Sequence, residues 1–166
     1  MDEVNGKMPC VLYEGTPHVE TSEILAWIEE QFPEPSLAVP DDITENARSG
    51  FGLFGSIAKF TKNTDTSEDD DLRIDLQMNL ASVRAHLARF GGEFINGDAP
   101  TLLDCDVLPK LYVLETATAH FKNFSLDAFP VGDEIQQYYD RVSQHPAFVD
   151  SLYPADVGIW GWEKAR

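Results

Sequence analysis

The sequence predicts an α/β unit, one β-hairpin and one helix, followed by an all-α domain. Three observations predict it. An apolar run at residues 8–13 and a short second strand at 18–20 are split by Glu14-Gly15-Thr16-Pro17, a turn composition. "PEPSLAVPDD" then brings three prolines into ten residues, Pro33 to Asp42, as an inter-domain linker does. Every strong periodicity after it is helical. The expected boundaries are 1–33 for the first unit, 34–42 for the linker and 43–166 for the helical domain.

Met8 to Tyr13 is apolar enough for a buried strand, and His18-Val19-Glu20 closes the hairpin. Thr21-Ser22 offers an N-cap for a helix whose apolar positions are Ile24, Leu25, Ile28 and Phe32; it stops at Pro33. Residues 43–62 space Phe51, Phe54, Ile57 and Phe60 as one helix, with Gly50, Gly52 and Gly55 permitting close packing; a break near Gly50 is the alternative. "TSEDDD", residues 66–71, starts the next helix with acids where the dipole favours them. Leu72, Leu76, Leu80, Val83 and Leu87 form its stripe. "FGGEFINGDAP" is a loop. Thr101 and Asp104 then have capping-box spacing at the head of residues 101–121. That helix is apolar nearly all round, hence central, and carries Pro109, which predicts a kink. Residues 133–144 form another helix, "HPAFVDSLYP" a short one, and "GIWGWEKAR" an irregular tail.

Twelve basic residues face 29 acidic ones in 166, a formal net charge of −17. Such a chain is repelled by phosphate backbones and anionic lipid, which excludes nucleic acid as a partner. With 43% apolar and 11% aromatic residues it folds rather than staying disordered. No apolar run reaches the length of a membrane span. Cys10 and Cys105 are too few for a disulfide scaffold, so a soluble protein of a reducing compartment is expected. The histidines at 18, 86, 120 and 145 are scattered and suggest no metal site and no relay.

"GKMPCVLYEG" with "VETSEILAWIEEQFPEPSL" resembles the second half of the thioredoxin-like domain of glutathione transferases. "FGLFGSIAKFTKN", "FINGDAPTLLDCDVLPKLYVLETATAHFKNFSL" and "GWEKAR" resemble the helical domain of two branches, plant-type dehydroascorbate reductases and chloride intracellular channel proteins. The fold so implied is a partial thioredoxin-like domain followed by a glutathione-transferase helical domain. The resemblance further implies a vestigial glutathione site: a cis bond at Met8-Pro9 whose main chain meets the cysteinyl backbone, Glu20 and Thr21 at the γ-glutamyl group, and Lys7 toward the glycyl carboxylate. It gives Asp104 a structural capping role with Thr101.

In these families a strand–helix–strand preceding such a hairpin carries the reactive cysteine, in a Cys-Pro-Phe motif at a helix N-terminus, where the thiol pKa is lowered. These 166 residues hold no such motif. Cys10 and Cys105 are both expected to be core residues, and no catalytic residue is assigned. Two functions follow. The first is a non-catalytic, dehydroascorbate-reductase-like subunit whose strand 8–13 docks on another protein chain or a self-copy. The second is a glutathione-dependent dehydroascorbate reductase seen without its catalytic half. No cofactor beyond glutathione is expected; the resemblance to plant-type reductases suggests chloroplast or cytoplasm.

Overall fold

A computed structural model of the chain describes residues 9–129 and 133–166. It divides into two compact units, the boundary falling between Ala38 and Val39. Lys7 and Met8, and with them the Met8–Pro9 bond, lie outside the described residues.

In the first unit, β1 (Cys10–Tyr13) pairs antiparallel with β2 (Thr16–Val19), in the register Cys10↔Val19, Val11↔His18, Leu12↔Pro17 and Tyr13↔Thr16. The turn is shorter than the four residues expected. Glu14 and Gly15 alone make it, both at positive φ (48° and 85°), the signature of a tight two-residue hairpin loop. Thr16 and Pro17 join the strand instead, Pro17 being tolerated because β2 is an edge. Helix α1 (Thr21–Gln31) covers one face of the hairpin: the Trp27 ring stacks on His18 at 4.3 Å and meets Tyr13 at 5.1 Å. Of its apolar positions only Ile24 is buried; Ile28 and Phe32 are exposed. The Glu29 carboxylate accepts from Ser36 Oγ (2.6 Å) and Leu37 N–H (2.9 Å), folding the chain back on the helix.

The second unit is helical, and its expected first helix is broken. Helix α2 (Glu45–Arg48), with Thr44 Oγ1 accepting from Ala47 N–H, is separated from α3 (Leu53–Lys62) by Gly50, Phe51 and Gly52, all at positive φ. The periodicity hides the break because Phe51, Ile57 and Phe60 still reach one core. Gly50 has a steric reason as well. A Cβ there would lie 2.1 Å from Asp106 Oδ2 and 2.5 Å from Lys110 Nζ, inside a 2.6 Å ion pair. Gly50→Ala must therefore open that pair and strain the backbone. It is expected to cost about 2 kcal/mol, read as a lower denaturant midpoint at unchanged slope.

Helix α4 (Asp69–Phe90) follows a short 3₁₀ turn and buries Leu76, Leu80, Val83 and His86. Helix α5 (Leu102–Val113) is the central element, burying Leu103, Val107, Leu108 and Leu111. It passes through Pro109; the irregularity comes later, as a π-turn over Leu114–Thr118 leading into α6 (Ala119–Lys122). There the buried hydroxyls of Thr118 and Thr61 meet at 2.7 Å, joining the π-turn to α3. Helix α7 (Asp133–Val142) buries Ile135 and Tyr138, and Arg141 donates to the carbonyls of Gly92 and Glu93, pinning the loop before α5. Helix α8 (Pro146–Ser151) is followed by α9 (Ala155–Ala165), where an irregular tail was expected. Gly158 is helical there for packing: a Cβ would stand 2.6 Å from the Tyr153 ring.

Candidate functional site

Of the expected first-unit positions, the hairpin and α1 bring Pro9, Glu20 and Thr21 to one end. Beyond the last pair, Cys10↔Val19, Pro9 is level with Glu20. The chain must turn there within one residue. Glu20 does it at φ 71°, ψ 124°, positive φ with ψ outside the left-handed helical well, a conformation that costs a non-glycine residue about 1–3 kcal/mol. Its carbonyl accepts from Ile24 N–H (3.0 Å), so Glu20 is the N-cap and Thr21 the first helical residue. This corrects the expected Thr21-Ser22 cap by one position. No side chain caps this turn by a hydrogen bond, and Pro9, Thr21 and Ser22 are exposed. The corner thus combines the first-turn amides of an eleven-residue helix with an adjacent hydroxyl. That combination suits a carboxylate, while Glu20 supplies the charge an ammonium would meet.

Neither thiol belongs to this corner's chemistry. Cys10 is half-buried within β1. Cys105, expected in the core, is exposed on α5, because the buried stripe of that helix runs through Leu103, Val107 and Leu108. Desolvation pushes the Cys105 thiol above its ordinary pKa, and the charges of Asp104 and Asp106 push it further the same way. A helix start that could have activated the thiol is cancelled by its two neighbours.

The Thr101–Asp104 pair forms a buried polar centre. Asp104 Oδ2 accepts from Thr101 N–H (2.8 Å) and Thr101 Oγ1 (3.1 Å); Oδ1 accepts from Ile95 N–H (2.8 Å) and Tyr138 Oη (3.0 Å). These contacts are structural.

In the helical unit a groove of about 470 Å³ opens between α3 and α9, lined by Phe54, Lys62, Tyr153, Val157 and Trp162, with Lys62 Nζ 5.6 Å from the Trp162 ring. A second hollow of about 280 Å³ shares Phe54 and Tyr153 and reaches Cys105 and Pro109. Sequence reasoning missed these residues. The aromatic content of the tail was the available signal. Among the described residues no three His, Cys, Asp or Glu side chains gather as a metal site, and no helix is long and apolar enough to cross a membrane.

No family model matches the chain. Glutathione S-transferase DHAR2 of Arabidopsis thaliana is 29% identical over 158 residues, which cover 95% of this chain and 71% of that protein. Chloride intracellular channel protein 3 of Homo sapiens is 27% identical over 157 residues, 86% of this chain and 66% of its own length. The crystal structure of Chlamydomonas reinhardtii dehydroascorbate reductase superposes on 98% of this chain and 74% of its own, with a TM-score of 0.78 and 27% identity. Plant DHAR glutathione S-transferases and chloride intracellular channel proteins are thus homologues of this chain, and its structural neighbours share the glutathione transferase fold. The two-unit order, a hairpin with one helix and then helices alone, is a glutathione-transferase-like arrangement. The chain spans 71% of the length of the Arabidopsis thaliana DHAR2 protein but only 55–58% of the chloroplastic proteins of Oryza sativa and Arabidopsis thaliana that it also matches.

Proposed function

We propose that these 166 residues act as a non-catalytic, dehydroascorbate-reductase-like subunit that recognises glutathione and works within a larger protein assembly. The observation that carries this reading is the place of the two thiols: Cys10 lies within a strand, and Cys105 stands on α5 between Asp104 and Asp106, its thiol pushed above its ordinary pKa by desolvation and by those carboxylates. Nucleophilic attack needs a thiolate, and the surroundings of Cys105 disfavour one. The α1 corner supports the recognition half of the reading, since an eleven-residue helix opens there beside Glu20 and Thr21. The first-turn amides and the Thr21 hydroxyl hold the γ-glutamyl carboxylate, Glu20 meets the amine, the main chain at Met8–Pro9 meets the cysteinyl unit, and Lys7 meets the glycyl carboxylate. A reducing compartment, chloroplast or cytoplasm, suits the free thiols.

The test has two arms. Ascorbate formation from dehydroascorbate and glutathione, measured on this polypeptide, is expected at background; clear turnover overturns the reading. Glutathione binding by calorimetry is expected, weakened about tenfold by Thr21→Ala, which removes a hydrogen bond to a charged group.

The intact Pro9–Glu20–Thr21 corner favours one second reading, a dehydroascorbate reductase whose reactive thiol lies on polypeptide preceding residue 1. The intact mass of the protein from its natural source separates the two: additional mass carrying a Cys-Pro-Phe sequence decides for the enzyme.

A further inference from the structure

The π-turn after α5 places one carboxylate among other acceptors. The turn is wide, with Ala119 N–H reaching Leu114 O five residues back, and Glu115 within it is half-buried. Glu115 Oε1 accepts from Leu126 N–H (2.6 Å). That amide opens the 3₁₀ turn Leu126–Ala128, whose own N-cap, Ser125, makes no side-chain bond to it. Glu115 therefore caps, from eleven residues away, the stretch that seats Leu126 and Phe129 in the core.

Donors are scarce around it. Asp127 of the 3₁₀ turn and Asp140 of α7 both act on it with negative charge. Tyr139 of α7 stands beside them, its phenol pushed up to about 12 by burial and then by the charge of Glu115. Tyr112 of α5 acts on Tyr139 in turn, and its own hydroxyl is donated to the Tyr153 carbonyl (2.8 Å). Gln136, one turn before Asp140, donates its amide to Asp140 Oδ1 (2.8 Å), and among the described residues no donor meets its buried Oε1. Among the described residues no lysine, arginine or histidine pairs with Glu115, and no three acids gather as a metal site. A proton is what relieves such a cluster. It removes one charge and adds the missing donor, while the other carboxyl oxygen still accepts from Leu126. Burial, reinforced by Asp127 and Asp140 against the Leu126 bond, accordingly holds the Glu115 carboxyl above its ordinary pKa.

We infer that Glu115 is a proton-operated latch: neutral, it holds the Leu126–Phe129 stretch against the helices, and ionised, it loosens that stretch while the rest of the helical unit stays folded. The opening is local because Glu115 touches the 3₁₀ turn and not the stripe of α4. A folded-state pKa raised above the unfolded one contributes stability that is fully present below the unfolded value, about 4.3 for glutamate, and is lost as pH rises through the folded value. Acid therefore closes this latch, whereas it weakens the Asp69 carboxylate, whose pKa is depressed.

Hydrogen exchange on the full chain between about pH 5 and pH 8 tests it, each rate divided by the intrinsic rate at that pH. Protection of the Leu126 amide is expected to fall by about threefold or more as pH rises, while that of Leu80, in the middle of α4, stays level. Glu115→Gln keeps an acceptor for Leu126, cannot ionise and brings a donor of its own. Its Leu126 amide should match the natural protein at the acid end and show no change with pH. Asp140→Asn, which removes one of the two repelling charges, should narrow the fall. Protection that is level or rises with pH in the natural protein overturns the proposal, and so does a fall that survives in Glu115→Gln. Denaturant midpoints give an independent reading. Glu115→Gln is expected to exceed the natural protein at about pH 8, with the gap closing toward about pH 5. A Gln variant that is no more stable at the alkaline end denies Glu115 the role of latch.

Discussion

Asp104→Ala is expected to lower the stability of the helical unit by about 4 kcal/mol, a large part of the roughly 5–15 kcal/mol margin of an ordinary domain. Asp104 is 4% exposed, and its carboxylate accepts four hydrogen bonds, from Thr101 N–H and Oγ1, Ile95 N–H and Tyr138 Oη. Alanine strands these donors in a core that water does not enter. The centre also reaches α4: Thr101 Oγ1 accepts from Asn96 Nδ2 (2.9 Å), and Asn96 Oδ1 meets His86 Nε2 (2.8 Å). One side chain thus ties α5, α7 and the loop before α5 together. Asp104→Asn keeps one acceptor but turns a second donor toward Thr101; about 2–3 kcal/mol is expected. Tyr138→Phe, which removes a single bond and keeps the ring, should cost about 1 kcal/mol. Burial, and then the charge of Asp104, hold the Tyr138 phenol well above its ordinary pKa, so it should stay un-ionised when exposed tyrosines titrate. Denaturant midpoints rank the variants, and an Asp104→Asn protein within 0.5 kcal/mol (about the effect of an ordinary surface change) denies the centre its role.

The Thr101–Asp104 contact was legible because a helix cap is local: two residue types three apart suffice. So was the face of α4, where Leu76, Leu80 and Val83 repeat over many turns and all are buried. The departures have local causes too. The gap at Gly50–Gly52 was read as helix because an apolar spacing of three survives a break whose two sides line the same core. Helix α9 was read as tail because Gly158 and Gly161 lower helix propensity, while the reason for Gly158 is the ring of Tyr153, absent from any propensity scale. Cys105 was read as core because α5 is apolar nearly all round, and composition cannot say which side faces out. The groove residues Lys62, Tyr153 and Trp162 come from α3 and the last stretch of chain, so no local pattern announces them. The backbone turn at Glu20 was not legible, since its positive φ follows from the hairpin register.

Lys122 and Asp69, 53 residues apart, form a contact of the same hidden kind, with a large consequence. The Lys122 side chain is 5% exposed; its Nζ lies 2.5 Å from Asp69 Oδ1 and 5.3 Å from the Phe60 ring centre. Asp69 also accepts from Asn63 Nδ2 (2.7 Å) and opens α4, where the helix dipole favours its charge. Asp69→Asn leaves a buried ammonium without a counter-charge, and a loss of about 3 kcal/mol is expected. Lys122→Met should cost less, because a carboxylate that is 19% exposed keeps Asn63 and the helix start as partners. The double variant should then lose at least about 1 kcal/mol less than the two single losses combined, the coupling expected of groups in contact. The pH dependence checks the cause. The hydrogen bond from Lys122 is the largest influence holding the Asp69 carboxyl below its ordinary pKa. A depressed folded-state pKa contributes stability that is fully present above the unfolded value, about 3.9, and is lost as pH falls through the lower folded value. The stability gap between the natural protein and Asp69→Asn should accordingly be constant near neutrality and shrink below about pH 4. A gap that persists unchanged into acid would assign the loss to the amide's shape rather than to the missing charge.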